Sequence, residues 1–479
     1  MTSLYKTPFL LLLFSIATLS NAQSPNIIIE IFTPGSHAPP TPAYDPSNYW
    51  LDKLDELTPL GMREHFIMGL SLREKYPELL TKFRSSSFHA RSIDGNKNMM
   101  SAFCHLQGVF YQTGPNIKDD IDLATAIPPF QSDAIQKIVE SNQYKSALPD
   151  NVQPVPIYAV PLLEDQVLRS YQACVRSEEW AEQNIHEAQP KYILDNDFKK
   201  LRKYLKGYGI HVNDWESLTN LAETALANNK HGLQMPADIN PKSQFFKDLK
   251  FAYEYYYVEQ MTSRERQKQA YAKPLLDAIL SYLDRGNKNA IFLSANERTL
   301  IILLSAFNVL STECLLDNYR KEKHGKPIDY QNCTYPHSPS NFIFEFYNEE
   351  DGTASMAFKY NGKSLYLCDP AKQENCKYID FIDAVHKATG YMSIEEYNML
   401  CNPGPQHHPD YSNYDRRYNP TVIISSETEG FTSMEVVLLF FCSFASVFLL
   451  IQLVLNRGKG KNSQFRHRRL QEVDESARE

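Results

Sequence analysis

The sequence predicts an α/β fold: a core sheet with a smaller helical domain, plus one C-terminal transmembrane helix. Three observations carry this. The mostly apolar run 27–31 breaks into the loop Phe32-Thr33-Pro34-Gly35-Ser36-His37-Ala38-Pro39, as a buried strand does at its end. A second junction of the same kind is Ile291-Phe292-Leu293-Ser294-Ala295-Asn296-Glu297-Arg298-Thr299, and residues 436–455 form a twenty-residue apolar run.

The N-terminus comes first in chain order. Lys6 precedes the apolar stretch 8–16, and Ser20-Asn21-Ala22 supplies small residues before Gln23, which marks residues 1–22 as a cleaved secretory signal. Strands at 27–32 and 290–294 are expected to be neighbours in an open α/β sheet, whose ligands sit at the carboxyl ends of the strands. Leu57-Thr58-Pro59 opens a helix: Thr58 can cap, Pro59 occupies the first helical position, and Leu57 can staple onto Met62. Residues 99–110 form a further apolar helix. Between about 116 and 250 the text is helical and polar, with 192–226 carrying apolar residues at helical spacing. Residues 251–283 return to the core as long helices, with Lys273-Pro274 opening the one that precedes the second strand.

Residues 402–433 are rich in Pro, His, Tyr, Asn and Ser without apolar periodicity and suit a stalk. The run 436–455 contains only Gln452, Ser443 and Ser446 as polar residues. It is followed by Arg457, Lys459, Lys461, Arg466, Arg468 and Arg469 in the basic tail 456–479, the flank expected on the cytosolic side. The chain thus reads as a single-pass type I membrane protein of the secretory pathway, at the cell surface or in a lysosome-like compartment.

A composition of 43% hydrophobic and 22% charged residues suits a globular ectodomain, and the net charge of -8 argues against nucleic acid as a partner. Of eight cysteines, Cys442 falls in the apolar run, and seven remain in an oxidising compartment. That odd number leaves at least one free or paired with another chain, so a homo-oligomer stays open. Cys314 and Cys333 enclose a loop of modest length and read as a pair, while Cys104 on the apolar helix reads as a buried thiol. Asn332 heads the one ectodomain N-glycosylation sequon with a permitted middle residue. No Cys-x-x-Cys spacing supports zinc, and His407-His408 reads as solvated linker, so no metal or cofactor is expected.

The loop after residue 32 resembles the histidine acid phosphatases, the family of acid phosphatases and phytases. Their strand runs into Phe-Arg-His-Gly-x-Arg-x-Pro, with a nucleophilic histidine and phosphate-holding arginines. Here Phe32, Gly35 and Pro39 remain, but Thr33-Pro34 replaces Arg-His and His37 replaces the second arginine. Leu57-Thr58-Pro59-Leu60-Gly61-Met62-Arg63-Glu64-His65 is similar to the family's Leu-Thr-Pro-x-Gly-x-x-x-His. The stretch from Arg91-Ser92-Ile93-Asp94 to Ser101-Ala102 is similar to Arg-Ser-x-Asp-x-x-Arg-x-x-x-Ser-Ala, and this comparison puts the phosphate-binding arginine on Arg91. At the second junction the family reads Ser-Ala-His-Asp-x-Thr, so Asn296 stands for the histidine and Glu297 for the general-acid aspartate.

The resemblance spans roughly 27–401. It implies a phosphoglycerate-mutase-like core, a helical domain at about 116–250 that shapes substrate choice, and a lysosomal- or prostatic-like membrane-anchored architecture for the ectodomain 23–401. It also implies the disulfides Cys174–Cys401 and Cys368–Cys376. The tail holds no tyrosine and so lacks the tyrosine-based sorting signal of lysosomal relatives.

Catalysis through a phosphohistidine needs an imidazole in line with the ester bond, and proline supplies neither a nucleophile nor an N–H donor. Removing a well-placed donor in comparable sites costs about 2.7–4 kcal/mol of transition-state stabilisation. His37, if charged in an acidic lumen, can donate to phosphate; if neutral it can attack. Glu297 can still protonate a leaving oxygen. The sequence therefore predicts a catalytically inactive or severely impaired phosphomonoesterase acting as a binding ectodomain, with phosphate or a phosphoester as candidate ligand. The alternative is an active acid phosphatase.

Overall fold

A computed structural model of the chain describes residues 24–118, 146–328, 333–368 and 375–402. The expectations for 1–22, the stalk beyond 402, the span 436–455, the tail 456–479 and Asn332 lie outside the described residues, as does the part of the helical domain at 119–145. Among the described residues no helix is long and apolar enough to cross a membrane.

Among the described residues eight strands form one sheet: β1 (Ile27–Phe32), β2 (Phe88–Ile93), β3 (Tyr158–Val160), β4 (Ala290–Ser294), β5 (Asn341–Asn348), β6 (Ala354–Tyr360), β7 (Lys363–Leu365) and β8 (Asn375–Lys377). The order is β3-β2-β4-β1-β5-β6-β7, with β8 also on β6. β3, β2, β4 and β1 run parallel, and β5 joins β1 antiparallel. The expected neighbours β1 and β4 do pair, Ile29 opposite Ile291 and Phe32 opposite Ser294.

Both central strands are buried throughout, so every second side chain enters a different core. Ile27, Ile29, Ile31, Ile291 and Leu293 join the larger core, and Ile28, Phe32, Ala290 and Phe292 join the smaller one with Leu72, Leu106 and Val109. Glu30 is the polar exception, and it is answered by His105 Nε2 at 2.9 Å and Asn341 Nδ2 at 2.7 Å.

Each parallel strand leads towards a helix. α1 (Pro59–Lys75) begins as the sequence predicts, with Pro59 in its first turn and Thr58 Oγ1 accepting from the Gly61 N–H at 3.3 Å. α2 (Asn96–Val109) crosses α1 closely, because Gly69 and Gly108 meet there. A Cβ on Gly69 would lie 2.1 Å from the His105 carbonyl oxygen, and one on Gly108 2.1 Å from that of Phe66.

The stretch expected to be helical at 192–226 is broken. Its early helical pieces end near Gly209, which sits at φ +75°, before α3 (Trp215–Lys230) starts on an Asp214 cap. α4 (Gln244–Thr262) and α5 (Glu265–Arg285) are the long helices. Pro274 lies inside α5 rather than opening it. α6 (Glu297–Ala306) follows β4, and α7 (Thr312–Lys323) follows α6.

All three expected disulfides form: Cys174–Cys401, Cys314–Cys333 and Cys368–Cys376, with Cα separations of 4.3, 5.8 and 6.0 Å. Cys104 is unpaired and half-buried, and burial pushes its thiol pKa up.

Cys174 and Cys401 lie 227 residues apart in sequence. Replacing both by alanine should lower the unfolding free energy by about 2–5 kcal/mol, because the bridge restricts the unfolded chain. A urea midpoint equal to that of the wild type would contradict this.

Candidate functional site

A cleft of about 230 Å³ opens where the loops after β1 and β4 meet α3 and α4. Its walls include Ser36, His37, Glu223, Lys230, Phe246, Tyr253, Glu297 and Ser338. The loop after β1 is fixed by contact of backbone on backbone: a Cβ on Gly35 would lie 2.5 Å from the Gly61 carbonyl oxygen, and one on Gly61 2.2 Å from that of Ser36. Thr58 donates to the Ser36 carbonyl from both N–H and hydroxyl, at 3.0 and 2.8 Å. Glu64 accepts from Ser36 N–H at 2.7 Å and from its hydroxyl at 2.9 Å.

Thr33 and Pro34, at the family's Arg-His positions, are buried and do not line the cleft. Thr33 is stitched to the neighbouring loop, its N–H donating to the Ser340 carbonyl at 2.9 Å and its hydroxyl oxygen accepting from Ser340 N–H at 2.8 Å. His37 does line the cleft. Its Nδ1 donates to the Gly35 carbonyl at 2.8 Å, which leaves Nε2 with a lone pair when the ring is neutral. Burial and the charges of Lys97 and Lys230 push its pKa down to about 3, which favours the neutral one of the two forms the sequence leaves open.

Asn296 has become a helix cap. Its Oδ1 accepts from the Thr299 N–H at 3.2 Å at the start of α6, and its Nδ2 donates to the Tyr171 hydroxyl. Glu297 accepts from Tyr253 hydroxyl (2.8 Å), Tyr335 hydroxyl (3.2 Å), Ser338 N–H (2.9 Å) and Ser338 hydroxyl (2.8 Å). The carboxyl group expected to give up a proton is used here as an acceptor that holds the segment 335–338.

Arg91 lies apart from the cleft walls, with Nη2 on the Asp165 carboxylate at 2.5 Å. A cation that acts on the cleft from outside its walls is Lys97, at the second arginine of the same family pattern. It is the foremost positive charge acting on both His37 and Glu223, and it is paired with Asp55 at 2.5 Å. That spacing was the signal that could have found it. Two further residues come from α3 with no motif around them. Lys230 reaches the Ser36 hydroxyl at 3.2 Å, the Ser338 carbonyl, and Glu64 at 3.7 Å. Glu223 is half-buried, and burial pushes its carboxyl up to about 7 although Lys97 pulls it down.

Beneath the loop, His65 is fully buried beside Phe32 and His105, ring centroids 5.3 and 5.8 Å apart. Neither of its ring nitrogens has a hydrogen-bond partner among the described residues. Burial and His105 push its pKa down to about 3; the Thr33 and Pro34 carbonyls oppose this without reaching hydrogen-bond geometry.

A central mixed sheet with a cleft at the carboxyl ends of β1 and β4, beside a helical layer, is an α/β architecture of the kind that places its ligand site at such strand ends. Residues 17–361 match the model of the histidine phosphatase superfamily (branch 2), and the chain belongs to that family. It is 24% identical over 394 residues to the lysosomal acid phosphatase of Xenopus laevis, covering 77% of this chain and 78% of that protein. Against the lysosomal acid phosphatase of Homo sapiens the figures are 23% over 385 residues, 76% and 78%. The fold is similar to that of the phytase from Citrobacter braakii, with a TM-score of 0.51 and 13% identity over 78% of this chain and 99% of that one.

The His65 imidazole refuses, in the folded state, a proton that the unfolded chain accepts below its ordinary value of 6.5. Its contribution to stability is therefore present above that pH and is lost as pH falls towards 3. His65→Asn should flatten the dependence of stability on pH in that window by about one proton, roughly 1.4 kcal/mol per pH unit. Parallel curves for variant and wild type in urea titrations across the window would refute it.

Proposed function

We propose that this chain is a membrane-anchored, secretory-pathway member of the histidine phosphatase superfamily that binds through its cleft and does not turn over phosphomonoesters by the phosphohistidine route. The observation that carries this is Pro34: the nucleophile's position holds a buried proline behind Thr33, whose polar groups are engaged by Ser340. Asn296 and Glu297 are likewise absorbed into a cap and a loop anchor. The lysosomal acid phosphatases among its relatives support a secretory or lysosomal location. The apolar run 436–455 and its basic flank support a single type I span.

The purified full chain, assayed with p-nitrophenyl phosphate from acid to neutral pH, should release no phosphate above a heat-inactivated control. Ordinary turnover would overturn the reading. A second reading rests on His37, which lines the cleft with Nε2 unbound by Gly35 and whose pKa is pushed down to about 3 by burial and by the charges of Lys97 and Lys230. It makes the protein an acid phosphatase with a relocated nucleophile. Rapid quench with a labelled phosphomonoester decides between them: label on His37, lost in His37→Ala, establishes the second reading, and an unlabelled chain removes it.

A further inference from the structure

We infer that the cleft receives a small organic cation, a primary amine on an apolar body, with its ammonium group on Glu223. The inference rests on the reading that the cleft binds without phosphoryl transfer, and it names what is bound.

The lysines around the cleft already have anionic partners. Lys230 is held by Glu64 at 3.7 Å and by the Ser36 and Ser338 oxygens, Lys97 by Asp55 at 2.5 Å, and Lys250 by Glu254 at 3.4 Å. The acids in those pairs are occupied in turn, and Glu297 accepts four hydrogen bonds. Glu223 differs: it lines the cleft half-buried, yet has no hydrogen bond or ion pair among the described residues.

A carboxylate removed from water without donors is costly, and the upward push of burial on Glu223 is the sign of that cost. Charges facing it from neighbouring elements oppose one another, Lys97 and Arg298 favouring its ionised form and Asp55 and Glu297 disfavouring it. Tyr253 and Tyr257 of α4 also stand in its field. An entering phosphate would meet two carboxylates, Glu223 and Glu297, on the cleft wall, and like charges at that range repel. An ammonium group would supply the missing donors as charge-assisted hydrogen bonds. Phe246 and Tyr253 add aromatic surface for the apolar body and for the cation itself. The volume of about 230 Å³ suits one ring with a short amine arm rather than a large ligand.

The test titrates the purified full chain calorimetrically at about pH 8, above the raised range of Glu223, with phenethylamine, phenethyl alcohol and phenyl phosphate. The amine should bind, the alcohol more weakly, and phenyl phosphate least. Glu223→Gln should weaken the amine by about tenfold or more, the size of one lost charged hydrogen bond. Glu223→Asp keeps the charge and should retain measurable binding, and equal melting midpoints exclude unfolding as the cause. No binding of the amine, equal affinity in Glu223→Gln, or preference for phenyl phosphate would overturn the inference. Hydrolysis of phenyl phosphate would instead bring down the reading on which it rests, and it is read separately as released phosphate.

Discussion

The parallel pairing of β1 with β4 is the constraint on which the site depends. Phe32 lies opposite Ser294, and the Ala295 N–H continues the ladder to the Phe32 carbonyl at 2.8 Å. Two loops distant in sequence therefore leave the sheet side by side at its carboxyl edge. Both strands are buried on both faces, so a slip of one residue would exchange the occupants of two separate cores and strand Glu30 away from His105. The register is held by hydrophobic burial, and the cleft inherits its geometry from that register.

Within this fixed frame, the positions that carry chemistry in the family have become joints. Thr33 fastens the first loop to Ser340, Asn296 caps α6, and Glu297 gathers Tyr253, Tyr335 and Ser338. Each of these contacts satisfies polar groups that would otherwise be buried without partners. The residues now at these positions therefore bind the protein to itself. Reinstating arginine at Thr33 would remove the hydroxyl that accepts from the Ser340 N–H, so a charge placed there acts on the fold as well as on the site.

Much of the frame was legible in the sequence because it rests on local rules. Unbroken apolar runs marked β1 and β4, Thr58-Pro59 marked the start of α1, and the cysteine pairs followed from family likeness and spacing. The antiparallel half of the sheet was not anticipated, although Phe342, Phe344 and Phe346 alternate in β5. The pairing of Arg91 was not legible because residue type does not say where a strand side chain points; Asp165, remote in sequence, meets its guanidinium. Glu223 and Lys230 were invisible for a similar reason. They stand on α3, whose apolar pattern reports its packing face and not which polar residue will border a loop almost two hundred positions earlier.

The bridge from Cys174 to Cys401 also determines how the molecule bears force. The terminal helical turn at Cys401 is bonded covalently to residue 174, and the Val175 N–H donates to the Cys401 carbonyl at 3.0 Å beside it. Tension applied to the chain beyond Cys401 thus enters at residue 174 as well and spreads into the helices around it, without first peeling the helix Ile394–Cys401 from the surface. The disulfide works as a strain relief, like the clamp where a cable enters its housing.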